Sequence, residues 1–395
     1  RTSELPKPSS QEPVEDTEST WVLENSYLRI TVDSTTGDLT EVFDKTAQRH
    51  VLSSPGNQLQ AFRDQGQYWD AWNIAPDYAD HPLPPAKLLD IQWVERGTVQ
   101  QRLRVIRQIG RSPIQQDYIL DAASPLLRIE TEVDWHEDFT LLKVAFPVNF
   151  EATTATYEIP CGAIARPLVP QTPADQAKWE VPALNWADLT IASETEATSY
   201  GVSLLSDCKH GYDATPSCLR LTLLKSPKWP DPDADRGHHH FSYAFYPHQG
   251  TWKEANAVRQ GYAFAQPLTP IQLMKAQQYS TEGKTLPATQ TFINLDDPNL
   301  VLMAFKPAED QFLPESESSH RWMMRCYEAC GEGGNIEVEK LCSTSSALSG
   351  LNYREQSNIL EERSDRSTKS NTSIDESGNE LAIAPWKIVT LAFES

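Results

Sequence analysis

The densest grouping of side chains able to do chemistry is Asp235-Arg236-Gly237-His238-His239-His240, with His248 following. In an extended strand alternate residues point to one side, so His238 and His240 share a face and could share a metal, with Asp235 adding an oxygen ligand. The spacing permits such a site without specifying it. No Glu-x-x-His or cysteine pattern supplies further ligands, and the same residues also read as a strand edge whose histidines hydrogen-bond locally or line a groove. His136-Glu137-Asp138 has His-x-Asp spacing and could hold zinc with a third ligand, but it reads better as the charged end of a strand. A third grouping, Trp69-Asp70-Ala71-Trp72, lies between Tyr68 and Asp77-Tyr78 in a Pro-rich stretch. Aromatic faces and carboxylates together suit sugars, whose C–H faces stack on rings while their hydroxyls bond to carboxylates; tryptophans flanking a loop and serving only the core are the other reading. Gly-x-Gly-x-x-Gly, P-loop, Gly-x-Ser-x-Gly and His-Glu-x-x-His motifs are absent. With 55 acidic residues, picking a pair of carboxylates for glycoside hydrolysis decides nothing.

The elements that must position these residues have a period of two. From Arg128 to Trp135, Ile129, Thr131, Val133 and Trp135 fall on one face, and Arg128, Glu130, Glu132 and Asp134 on the other, as in a half-buried antiparallel strand. Similar runs occur at Tyr27–Val32, Leu39–Phe43, Ile91–Val94, Leu103–Ile109, Gln116–Leu120, Leu141–Phe146, Gly201–Leu205, Leu219–Leu224 and Phe241–Tyr246, which predicts a large all-β sandwich. One segment predicts a helix: Thr251-Trp252-Lys253-Glu254 has capping-box spacing and helix formers continue to Arg259. A boundary is expected at Ser280–Ala288, before strands at Thr291–Leu295, Val301–Lys306 and Lys387–Phe393, with Ser343–Glu380 as long exposed hairpin loops.

Across 395 residues, 34 Lys and Arg oppose 55 Asp and Glu, for a net charge of −21. Nucleic acid and anionic membrane are therefore poor partners. No apolar run approaches the roughly 20 residues that span a bilayer. The six cysteines contain no Cys-x-x-Cys pair and read as reduced cytoplasmic thiols. The first 20 residues, polar and rich in Pro, Ser and Glu, read as an inter-domain linker, and the chain as a fragment of a longer protein.

An ordered series of segments spans nearly everything after Thr20. It runs from Val22–Ile30, Thr36–Leu39 and Phe43–Lys45 through Trp69–Trp72 to a long stretch: Ile159–Gly162, Ala165–Pro167, Trp179–Ala183, Trp186–Leu189 and Tyr200–Asp213. It continues as Leu221–Pro227, Pro230–Pro232, Asp235–His238 and Tyr246–His248, and ends with Val301–Asp310, Met324–Ala329 and Pro385–Leu391. This series resembles the C-terminal β region of family 38 glycoside hydrolases, retaining zinc-dependent alpha-mannosidases, most nearly of the cytosolic or bacterial type. Cys161 and His210 stand where that pattern leads one to expect aromatic residues.

The resemblance implies a galactose-mutarotase-like supersandwich over residues 21–284 and a small terminal β-sandwich over 285–395. It also implies that the zinc ligands, the Asp nucleophile and the acid/base carboxylate belong to an N-terminal α/β barrel that no segment here resembles. No catalytic residue and no metal ligand is then expected in this chain, with zinc held by that barrel. The expected role is to support the barrel and lend loops to a site for a mannose-containing oligosaccharide, with Trp69, Asp70, Trp72, Asp235, Arg236, His238 and His240 as candidate sugar contacts. The competing reading is a free-standing carbohydrate-binding or interaction module that shares only the fold.

Overall fold

The structure, a computed structural model, describes residues 20–66, 69–191, 199–271, 289–309, 321–362, 372–374 and 379–394. Tyr68, nearly all of the leading linker and the expected boundary at Ser280–Ala288 lie outside the described residues. The chain divides into two compact units, Arg1–Glu158 with Ile164–Pro267, and Ile159–Ala163 with Leu268–Ser395.

The fold is all-β, as the period-two runs predict. In the first unit a nine-stranded sheet runs, in spatial order, Gly162–Pro167, Thr154–Ile159, Trp186–Ile191, Tyr200–Ser206, Gly237–Gln249, Leu127–Trp135, Ser112–Asp121, Gln100–Ile109 and Lys87–Arg96. A five-stranded sheet (Val181–Pro182, Gly211–Thr215, Cys218–Lys225, Thr140–Pro147, Gln58–Arg63) and a four-stranded sheet (Thr20–Glu24, Leu28–Asp33, Leu39–Asp44, Arg49–His50) complete it. One core joins all three sheets: Ile30 and Val42, Val144 and Leu221, and Tyr118, Ile129, Val133 and Tyr243 are all buried in it. Along Leu127–Trp135 burial alternates as the sequence predicts, with Ile129, Val133 and Trp135 inward. Inside this core a polar cluster pairs most of its groups internally, with Arg107 Nε left unpaired among the described residues. Arg107, 1% exposed, donates to Asp38 at 2.6 Å, and Asn57 donates to Tyr118 and accepts from Tyr243. Buried polar groups cost little only when partnered in this way.

The edge strand Lys87–Arg96 is bulged twice against Gln100–Ile109, between Leu88 and Asp90 and between Trp93 and Glu95. The skipped residues, Leu89 and Val94, are the exposed apolar side chains of that strand.

The second unit is a smaller sandwich. A four-stranded sheet (Leu300–Pro307, Arg321–Glu328, Ile388–Glu394, Asn352–Ser357) and a three-stranded one (Gly334–Glu337, Glu380–Ile383, Thr372–Ile374) share a core of Met324, Cys326, Leu391 and Phe393 with Ile336, Leu381 and Ile383.

Several local expectations are corrected. The helix expected from Thr251 spans Ala257–Ala265. Glu254 does reach back to the Thr251 N–H at 2.6 Å, but the motif closes a turn, because Asn256 takes a left-handed conformation (φ 54°) before helical geometry begins. Pro173–Gln176 carries a complete capping box from Thr172 and Asp175 and forms a helix the sequence reading did not include. Thr291–Leu295 is not a strand. Its backbone bonds go instead to the Ser345–Ala347 turn, through Thr291 and Phe292 carbonyls and the Asn294 N–H. Of the segment Ser343–Glu380, residues 363–371 and 375–378 lie outside the described residues; within the rest, the helix Val338–Thr344 ends, Leu348 is buried in a short turn of helix, and Asn352–Ser357 is a strand.

Candidate functional site

Three loops of the first unit meet at one end of the five-stranded sheet, and their bases are zipped before their tips meet. Asp64, at the end of Gln58–Arg63, accepts the Ala75 N–H at 2.8 Å and the Lys225 ammonium at 2.5 Å, while its own N–H donates to the Phe139 carbonyl. Ser226 accepts the indole N–H of buried Trp135 at 2.6 Å and donates its backbone N–H to Thr140. The segments 64–75, 136–139 and 225–236 therefore leave the sheet from fixed points.

At the tips, Asp70 is buried and its two oxygens accept the backbone N–H groups of Lys228 (2.7 Å) and Trp229 (3.0 Å). The expected sugar ligand is thus a loop-to-loop clasp. Trp69, Trp72 and Trp229 then form a three-ring cluster, with centroids 5.7 Å apart for Trp69–Trp72, 4.2 Å for Trp69–Trp229 and 5.3 Å for Trp72–Trp229. Their exposures of 59%, 66% and 47% are far from those of core tryptophans such as Trp135 and Trp186, both at 0%. The reading of Trp69 and Trp72 as core residues does not hold.

The polar rim is built on Asp138. One of its oxygens accepts from Arg236 Nη2 at 2.5 Å and Nε at 3.2 Å, and also from Lys228 Nζ, which reaches the Pro232 carbonyl as well. The Arg236 hydrogen bond and then that of Lys228 hold the Asp138 carboxyl below the usual range, so it stays ionised. Asp235 takes a left-handed backbone conformation (φ 60°) just ahead of Gly237, and its carbonyl accepts from the His239 ring.

His238 and His240 do share a face of the strand Gly237–Gln249, opposite Asp134 and Glu132 of the neighbouring strand, and both are exposed. Both belong to the sheet, where His238 lies 3.8 Å from Asp134.

Two descriptions of known domains match this sequence: the glycosyl hydrolases family 38 C-terminal domain over residues 23–233, and the family 38 C-terminal beta sandwich domain over residues 299–391. The chain belongs to glycoside hydrolase family 38. This family 38 chain is 32% identical over 341 residues to Alpha-mannosidase 2C1 of Homo sapiens, covering 83% of itself and 31% of that protein. It is 31% identical to Alpha-mannosidase G of Dictyostelium discoideum, covering 95% of itself and 32% of that protein. It therefore spans about a third of the length of these relatives. The crystal structure of an alpha-mannosidase from Enterococcus faecalis superposes on 94% of this chain and 42% of that one, with a TM-score of 0.66 at 15% identity, and so shares the fold.

The described residues of this family 38 chain do not fit a zinc site. Asp134 is approached by His136 at 2.8 Å and His238 at 3.8 Å, but among the described residues no three His, Cys, Asp or Glu side chains converge as metal ligands. A serine–histidine–aspartate grouping is present and is structural: Asp188 Oδ2 accepts from Ser203 at 2.6 Å and pairs with His248 at 2.8 Å, and all three are sealed in the sheet where no substrate reaches.

The sequence reading missed Trp229 and Lys228. The signal was there, since Trp229 is an apolar residue between Lys228 and Pro230-Asp231-Pro232, a stretch too polar and proline-rich to be core. What joins it to Trp69 is the Asp70 clasp, which no local pattern encodes.

Proposed function

We propose that this chain is the non-catalytic C-terminal portion of an alpha-mannosidase. In this reading it supports an N-terminal catalytic barrel of the same polypeptide, which supplies the reacting carboxylates and the zinc ligands, and the protein works in the cytoplasm. Its own contribution is the loop cluster, which lends Trp69, Trp72 and Arg236 to the rim of a site for a mannose-containing oligosaccharide, with Asp235, His238 and His240 behind them.

The observation that carries the reading is the meeting of the aromatic loop and the Arg236 loop, 158–159 residues apart at the Asp70 contacts, in one exposed patch. The chemistry of the patch is that of sugar recognition. Indole faces take the apolar C–H side of a pyranose, and a guanidinium with its five donors in a fixed fork suits vicinal hydroxyls. Positioning sugar units beyond the scissile bond contributes binding energy that the reacting groups can use for orientation.

The test is turnover of an aryl alpha-mannoside by the purified chain, with and without added zinc, beside the same chain joined to the barrel. Activity only in the joined form is the expected result. Zinc-dependent turnover that stays with the chain through repeated purification would overturn the non-catalytic assignment.

A further inference from the structure

The loop cluster contains more than the residues that reading uses. Trp229 completes the aromatic group, and two carboxylates, Asp70 and Asp138, hold it and the neighbouring cations in place. We infer that Trp229 is a third sugar-contacting ring, that it takes a sugar unit of an extended manno-oligosaccharide, and that Asp138 is a positioning residue acting on the same site through Arg236 and Lys228. The inference rests on the proposed sugar role of these loops and goes beyond it in naming the residues and the length of ligand.

Three observations support it. First, the rings do not lie in one plate. Trp69 meets Trp72 at 71° and Trp229 at 79°, while Trp72 and Trp229 are inclined at 48°. Rings so inclined form a corner, and a corner presents differently oriented rings to successive pyranose units of one chain. Second, the backbone that carries Trp229 is anchored. Its peptide N–H and that of Lys228 are both held by the buried Asp70, so the cost of ordering this loop backbone is met in the free protein and not at binding. Third, the rim is charged and ionised. Asp138 takes two cations on one oxygen, which leaves Arg236 Nη1 and the second Asp138 oxygen without a partner among the described residues. Adjacent donors and acceptors beside exposed rings match a neutral polyhydroxyl ligand. An apolar peptide would leave those polar groups unpaired on burial.

The experiment is an NMR titration of the 395-residue chain with two probes, methyl alpha-mannoside and linear mannotriose, on wild type and on Trp229→Ala, Asp138→Ala and Asp138→Glu. The expected result is tighter binding of mannotriose than of the monosaccharide by wild type. Trp229→Ala should lose about tenfold in mannotriose affinity, a change of about 1.4 kcal/mol, more than it loses for the monosaccharide, at an unchanged melting temperature. Asp138→Ala should weaken mannotriose binding and Asp138→Glu should restore it, a rescue that a purely structural role would not give. Mannotriose binding unaffected by Trp229→Ala, or equal for both probes in wild type, would overturn the inference. The turnover comparison of the isolated and joined chains is read separately, so the non-catalytic assignment can fail while this inference stands, and the reverse.

Discussion

The buried carboxylate of Asp70 accepts the backbone N–H of Trp229 at 3.0 Å across 159 residues of sequence. One side chain thereby sets where an exposed ring stands, and a contact surface made of two distant loops behaves as one object.

Arg236→Ala removes the donors at the rim without touching the core, since the guanidinium is solvent-facing and, among the described residues, bonds to Asp138 and weakly to Asp233. In the joined enzyme kcat/KM for mannosides should fall about tenfold, the scale of a lost charged hydrogen bond, with the melting temperature unchanged. Wild-type kinetics with a lowered melting temperature would make Arg236 a structural residue.

Lys143 lies fully buried in the five-stranded sheet. It donates to Asp213 at 2.7 Å, Thr222 at 2.8 Å and Glu180, and stands 5.3 Å from the Tyr78 ring centre. Burial pulls its pKa down, but Asp213 and Glu180 push it up further, so it is charged at all ordinary pH. Lys143→Met strands the two carboxylates, and urea unfolding should show a loss of about 3 kcal/mol. A loss below about 1 kcal/mol would mean that Arg220, which donates to Asp213 at 2.6 Å, suffices alone.

Glu158 gives stability a pH dependence. Burial raises its pKa from 4.5 to about 7, against the opposing hydrogen bond from the Asn185 N–H at 2.7 Å. A carboxyl whose folded pKa lies above its unfolded one favours the folded state while protonated. That contribution is complete below pH 4.5, declines between pH 4.5 and 7, and is gone above 7. Glu158→Gln keeps an acceptor for Asn185 and cannot ionise, so it should be more stable than wild type at pH 8, by about 2–3 kcal/mol, and equal to it at pH 4.5. Parallel stability curves for the two proteins from pH 4.5 to 8 would refute the account.

Gly201 sits where a side chain has no room: an added Cβ would lie 2.6 Å from His248 Cε1, 2.6 Å from Thr190 Oγ1 and 2.9 Å from the Leu189 carbonyl. Two of these neighbours belong to a sheet core that cannot retreat. Gly201→Ala should therefore cost about 1–3 kcal/mol, read as a lowered urea midpoint at constant slope. An unchanged midpoint would show that the strand pair Trp186–Ile191 and Tyr200–Ser206 can open locally.

The all-β fold was legible because alternation such as that from Ile129 to Trp135 reports directly which residues face a core. Strands covered on both sides hide that signal: Thr140–Pro147 is buried at nearly every position, and its ends were found only approximately. Thr291–Leu295 had strand-like residues, yet its neighbours in space offered a turn and not an edge. In the candidate site, residue type alone pointed to Trp69, Trp72 and Arg236, and the structure shows all three exposed. Asp70 was picked for the wrong physical reason, because composition shows that a carboxylate stands beside rings but not that its oxygens are already used. Trp229 required the tertiary clasp to be seen.

The paired bulges at Leu89 and Val94 bear on how this protein behaves at high concentration. An open edge of ten residues on a nine-stranded sheet is a template on which another chain's strand can zip. Each bulge breaks the even spacing of outward-facing amide and carbonyl groups, so an incoming strand would meet two dislocations within ten residues. Restoring regular pairing there, by deleting Leu89 and Val94 together, should increase side-by-side stacking into fibrils or precipitate relative to the unaltered chain.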